Sequence, residues 1–314
     1  MRRPLALLAA VLALAAPTAQ AGEPLDLDIT LLGPPSAQIW VNAGASAADA
    51  ALLAADARAR FAMLSSELAL SLSSALLEPA ATIGHSGFAF DLESAYTTVH
   101  KEVVGSNTPF APGGYPRNYW PTRTKTPSEL LVPSFHVRKS LPFSIELGGR
   151  VLYLSQSSYF AVQLHGKWAL QEGYAMIPDV ALLAAHTIFL GQKDFNLSST
   201  DLTLMTSKRF GVNAIMSLTP YLAARYLLVR ASSDPLGYAP EGAAPDVVVR
   251  DTAQFPTLNR TLYRTTLGLR MTAFATSIAA EATWFGGGRY KAGPYPAYGL
   301  KSSLAGAFKL GFEF

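Results

Sequence analysis

From Ile83 to the last residue the chain alternates apolar and polar residues with a period of two, over segments longer than ordinary strands. At the C-terminus Leu304, Phe308, Leu310, Phe312 and Phe314 alternate with Lys301, Ser303, Lys309, Gly311 and Glu313; upstream, Tyr263, Thr265, Leu267, Leu269 and Met271 alternate with Arg264, Thr266, Gly268, Arg270 and Thr272. Successive side chains of a strand point to opposite faces, so each segment has one greasy face and one polar face. Ten such segments run at about 85–100, 129–140, 143–154, 158–170, 177–190, 197–209, 212–229, 260–275, 277–287 and 301–314. They suit the about 9–11 residues of a tilted strand crossing a bilayer and exceed the about 5–6 of a sandwich strand.

The connections alternate in length as well. Leu141-Pro142, Gln171–Met176, Phe210-Gly211 and Thr276 are short links, whereas about 101–128 and 230–259 are long. Bacterial membrane barrels have even strand numbers, short periplasmic turns and long outer loops. The expected fold is therefore all-β: a transmembrane antiparallel β-barrel of about ten strands over 83–314. Twelve strands are possible if Gln38–Val41 forms one. The register of 177–190 and 197–209 is the weakest step, because Leu182, Leu183, His186 and Met205 do not divide cleanly between faces.

The N-terminal part reads differently. Arg2 and Arg3, the apolar run Leu5–Ala16 and Ala19-Gln20-Ala21 are the parts of a secretory signal peptide over 1–21. Pro24 and Pro34-Pro35 make 22–45 a linker, and Ser46-Ala47-Ala48-Asp49 has the spacing of a capping box opening one α-helix over 46–78. Leu64, Leu68, Leu72 and Leu76 share a face of that helix, which Pro79 ends. An amphipathic helix packed on the remainder, periplasmic or plugging a barrel mouth, is expected. The chain is 50% hydrophobic and 15% charged, which excludes a disordered chain, and the absence of cysteine excludes disulfide and zinc-cysteine scaffolds. Two of the three surplus positive charges sit in the leader, so no nucleic-acid partner is expected.

A secreted chain closing on Phe308, Phe312 and Phe314 resembles bacterial outer-membrane β-barrel proteins. Leu141-Pro142-Phe143, Ser207–Gly211 and Leu218–Tyr221 are similar to pieces of uncharacterised proteobacterial barrels with a helical N-terminal segment. The resemblance implies the fold and an outer-membrane location. It also implies that the barrel-assembly machinery reads those phenylalanines, and it implies no known activity.

With the polar face as lumen, the candidate inward residues are Arg138, Glu146, Arg150, Lys167, Arg225, Arg264, Arg270 and Glu281. They support two readings. One is a small-solute or hydrophobic-compound channel, with Arg264 and Arg270 beside Arg225 lining an anion-preferring path. The other is a structural or surface-binding barrel whose lumen is filled by ion pairs. An outer-loop patch of Tyr115, Arg117, Tyr119, Trp120, Arg123, Arg289, Tyr290 and Lys291 could hold lipopolysaccharide by charge and stacking. Outer-membrane lipid is the other expected partner. No G-x-S-x-G, phosphate loop or close pair of histidines occurs, so no catalytic residue, cofactor or metal site is expected.

Overall fold

The computed structural model describes residues 24–73, 75–100, 102–103, 117–122, 128–212, 215–238, 251–290, 298–300 and 302–314. Ten long strands form its wall: β1 (Phe88–Thr98), β2 (Glu129–Leu141), β3 (Ile145–Tyr153), β4 (Phe160–Gln171), β5 (Asp179–Leu190), β6 (Phe195–Ser207), β7 (Met216–Ser233), β8 (Leu258–Ala273), β9 (Thr276–Phe285) and β10 (Ser303–Glu313). Each pairs antiparallel with the next, and β10 returns to β1 from Ala89↔Glu313 to Thr97↔Ala305. The closed barrel leaves no edge of unpaired backbone groups, as a spanning sheet requires. Short turns follow β2, β4 and β8, and Phe210–Val212 folds back on Met216–Leu218 after β6. The long links gather at the opposite, loop end, where small hairpins such as Leu236–Tyr238 with Asp251–Ala253 extend them.

The wall is apolar outside and charged inside. Leu92, Leu131, Leu147, Leu164, Leu182, Leu204, Leu222, Leu267, Trp284 and Leu310, one from each strand in order, all face outward and are exposed. Tyr96, Tyr153, Phe160 and Trp284 ring the loop end, and Phe88, Phe312 and Phe314 the turn end. Exposed apolar residues on every strand, with aromatic girdles at both rims, suit a hydrocarbon solvent. Inside, Arg138, Glu146, Lys167, Lys309 and Asp91 are buried. The uncertain register resolves with Leu183, Ala185 and Met205 inward and Leu182, His186 and Leu204 outward.

The residues before β1 depart from expectation. In the 22–45 stretch Ile29–Leu32 forms a 3-10 turn and α1 (Ala37–Asn42) a short helix, so Gln38–Val41 supplies no eleventh or twelfth strand. Helix α2 (Ala47–Leu72) opens on Ser46, whose hydroxyl accepts from Asp49 N and donates to its carboxylate. It stops at Leu72, before Leu76 and Pro79. The helix is not amphipathic in its C-terminal half, where every residue from Phe61 to Leu72 is buried. Ser65, Ser66 and Ser71 in that stretch, and Ser73 just beyond it, are buried with each hydroxyl donating to the carbonyl four residues back, at 2.7, 2.6, 2.9 and 2.6 Å.

This half of α2 sits in the loop-end mouth. There the inward residues of the wall are apolar too, including Leu130, Val132, Leu152, Leu227, Val229, Leu262 and Phe285. The rest of the N-terminal unit lies over the same mouth: Leu25 N donates to Gln156 O (2.9 Å), Leu27 bridges Thr122, and Gln192 reaches Leu27 O (2.8 Å). From Ser73 the chain descends the lumen, leaves at the turn end and enters β1 at Phe88.

Candidate functional site

The lumenal segment is held at every level by wall residues from different strands. Nearest the helix, Arg225 Nη2 donates to Ser73 O (2.8 Å) and Arg264 Nη1 to the same carbonyl (2.5 Å). Both arginines, register partners on β7 and β8, also bond Asp201. Such carbonyls at a helix end lack intrahelical partners, and positive charge there is favoured. One level down, the Glu281 carboxylate accepts from Leu76 N and Leu77 N, each at 2.7 Å, and from the Tyr221 hydroxyl at 2.9 Å. Leu77 has φ 56°, a left-handed conformation that a leucine holds only when its surroundings fix it. Arg150 Nη1 donates to Ala75 O (3.0 Å) and to Gln163 Oε1 (2.8 Å).

Glu78 is the hub of the next level. Its Oε2 meets Lys167 Nζ at 3.1 Å and Arg138 Nη1 at 3.9 Å, while its Oε1 lies 3.6 Å from the Nε2 atoms of both His136 and His165. Around it Arg138 bonds Asp91, Lys167 reaches Glu146 (2.9 Å), and Arg150 Nε reaches Glu93 (2.7 Å). Toward the turn end Ala80 N donates to Ser207 Oγ (3.0 Å), Thr82 N to Glu172 (2.6 Å) and Ile83 N to Glu146 (3.1 Å). Burying this many charges is tolerable only because they are paired and hydrogen-bonded. A cavity of about 420 Å³ opens below, lined by Thr82, Glu172, Tyr174, Lys208 and Arg209. Lys208 is spent on the carbonyls of Tyr174, Ala175 and Ile177.

All eight candidate lumen residues are buried inside the barrel. They are not gathered into one group. Arg225 and Arg264 are committed to Asp201 and Ser73 O, and Arg270 stands apart from them, bonded to Glu313. Tyr119 and Trp120 are buried rather than displayed, and Trp120 Nε1 donates to Glu67 Oε2 at 2.6 Å, locking the first loop onto α2. Burial, then the Glu67 carboxylate beside it, pushes the Tyr119 phenol well above its ordinary range. Burial likewise raises Tyr159, between β3 and β4, to about 12, against the opposing effect of the Leu27 N–H that it accepts at 2.8 Å. Tyr115, Arg123 and Lys291 lie outside the described residues. Arg117, Arg289 and Tyr290 lie in hairpins, paired with Val103, Gly299 and Tyr298. The two loops do approach one another, since Tyr298–Leu300 lies against Glu102–Val103. Phe308, Phe312 and Phe314 face outward, and Phe90 meets the last two rings at 5.6 and 5.8 Å.

Glu78, Glu67 and Tyr221 were not singled out as site residues from the sequence. The one available signal was a carboxylate inside or ending an otherwise apolar run, which is costly unless something holds it.

No family model matches the chain, and no curated protein matches it. Among solved structures it is similar to the N-terminal β-barrel domain of Pseudomonas aeruginosa OprF, with 14% identity and TM-score 0.28 over 74% of this chain and 99% of that one. An outer membrane channel of Pseudomonas putida F1 matches with 10% identity and TM-score 0.37 over 75% and 98%. The translocator domain of autotransporter NalP from Neisseria meningitidis matches with 12% identity and TM-score 0.35 over 82% and 98%. The barrel fold rests on this chain's own strand pairing rather than on these likenesses.

Proposed function

We propose that the chain is an outer-membrane β-barrel that does not conduct at rest, sealed by its own N-terminal segment and holding a folded cap over its cell-surface mouth. Strand β1 begins and β10 ends at the turn end, and the short turns there support a periplasmic turn end with the long loops outside. Residues 24–72 then sit at the outer surface, and the stretch after Ser73 is an additional pass through the lumen. The observation that carries the reading is that pass: its backbone groups are bonded by Arg225, Arg264, Arg150, Glu281 and Ser207 from around the wall. A channel would need those same side chains free to face a solute. Lipid and lipopolysaccharide contact the outer apolar band on this reading, and the assembly machinery reads Phe308, Phe312 and Phe314. Planar-bilayer recording tests it. The full chain is expected to give no conductance steps and a variant lacking residues 24–80 to give them; stable conductance from the intact chain would overturn it.

A further inference from the structure

The geometry points to a divalent transition-metal site formed by Glu78, His136 and His165 inside the barrel, where one ion ties the lumenal segment to β2 and β4. Nε2 of His136 and Nε2 of His165 each lie 3.6 Å from the same oxygen, Glu78 Oε1. Among the described residues neither Nε2 has a hydrogen-bond partner, and both side chains are almost completely buried. The spacing is too long for hydrogen bonds. It is close to the about 3.4 Å between ligand atoms of a tetrahedral zinc ion with bonds near 2.05 Å.

The hydrogen bond at the other nitrogen of His136 strengthens the case. Its Nδ1 lies 2.9 Å from Glu93 Oε1, and an ionised carboxylate only accepts, so Nδ1 carries the hydrogen. Arg150 Nη2 lies 3.3 Å from that nitrogen and donates to the same Glu93 oxygen at 3.2 Å. In the neutral ring Nε2 is then a bare lone pair aimed at a carboxylate oxygen. Two lone-pair donors facing each other across 3.6 Å without a donor between them repel, and a cation on the line between them removes the conflict. Carboxylate, imidazole and metal in series is the usual arrangement of a metal-binding histidine.

The wall is cut to allow it. His136 and His165 are separated by β3, whose Gly148 pairs with His165. A Cβ at Gly148 would overlap His165 Cε1 and Nε2, so only glycine lets that ring lean over β3 until the two imidazole centroids are 4.9 Å apart. Lys167 and Arg138 hold the other oxygen of Glu78, which leaves Oε1 to bind monodentately. In this layer Glu78, Asp91, Glu93 and Glu146 face Arg138, Arg150, Lys167 and Lys309, so an arriving cation meets no surplus of fixed positive charge. Two imidazoles and a carboxylate suit zinc, and cobalt(II) can report on the same site.

The test uses the folded full chain in detergent, stripped with chelator and titrated with zinc. One equivalent is expected to bind, with cobalt(II) giving visible bands of a low-symmetry nitrogen and oxygen site. X-ray absorption of the zinc form should show two imidazole ligands. His136→Gln with His165→Gln, and separately Glu78→Gln, should weaken zinc at least tenfold with the barrel still folded. Absence of stoichiometric zinc, a zinc form without imidazole ligands, or unchanged affinity in folded variants would overturn the site. None of these readouts depends on whether the barrel conducts.

Discussion

Glu281→Ala offers a direct perturbation of the seal, because this one carboxylate accepts both Leu76 N and Leu77 N at 2.7 Å in a fully buried setting. Removing it orphans two backbone donors and the Tyr221 hydroxyl. Each buried donor left without a partner costs roughly 1–3 kcal/mol, and water entering the space offsets part of that. A loss on the order of 3 kcal/mol in the docking of the lumenal segment corresponds to about a hundredfold in its local opening equilibrium. Hydrogen exchange at the amides of Leu76 and Leu77 should accelerate by about that factor. Amides of β7 and β8 should keep their protection, since the wall's ladder does not pass through Glu281's side chain. Glu281→Gln should fall between, because its amide oxygen can accept from one N–H while its NH2 opposes the other. In bilayers the alanine variant should show brief openings that the intact chain lacks. Unchanged exchange at Leu76 and Leu77 would refute the claim that this carboxylate holds the segment. Equal acceleration throughout the barrel would refute the claim that segment and wall open separately.

Four further outcomes follow from the same geometry. The chain has no cysteine, so Ala43→Cys or Ala48→Cys on the exposed part of the cap should react with an impermeant maleimide on intact cells, while Ala175→Cys in the turn after β4 should react only after the envelope is opened; the reverse pattern would invert the orientation. Asp201→Asn leaves Arg225 and Arg264 without their shared anion and should destabilise the folded protein by about 3–5 kcal/mol in urea titrations. Gly148→Ala drives a methyl into the His165 ring and should cost roughly 1–3 kcal/mol in the same titrations. Ser46→Ala removes the cap of α2 and should cost about 1 kcal/mol, read as faster exchange over its first turn only, because that turn lies at the exposed end of the cap.

What could be read from the sequence, and what could not, divides at the depth where the lumen changes character. The strands were legible where the two faces differ most, as in β10, where the outward Leu304, Phe308, Leu310 and Phe312 alternate with Ala305 and Lys309 inside. A period of two survives only if the inner face is polar, and that holds around Glu78. Higher up, the inner face is Leu197, Leu227, Val229 and Phe195, because it receives an apolar helix. The same loss of contrast recurs nearer the turn end of β5 and β6, where Leu183, Ala185 and Met205 face inward and form an apolar cluster with Leu76 and Ala80 of the lumenal segment, which is why those two strands resisted division. The helix misled in the complementary way: its spaced leucines suggested one buried stripe, but a helix enclosed by a barrel is buried all round, and alanine with self-satisfied serines serves that better than an amphipathic pattern. The candidate site was legible as a set of charges and not as a structure. Its partners meet through closure and through a segment threaded from the other end of the chain: Glu78 and Lys167 lie 89 residues apart, Leu76 and Glu281 205. No local spacing records such meetings. The one local trace was a carboxylate followed by proline at the end of a greasy run. A charge left where hydrophobicity would have been cheaper is the place to look for what the rest of the chain has been arranged to hold.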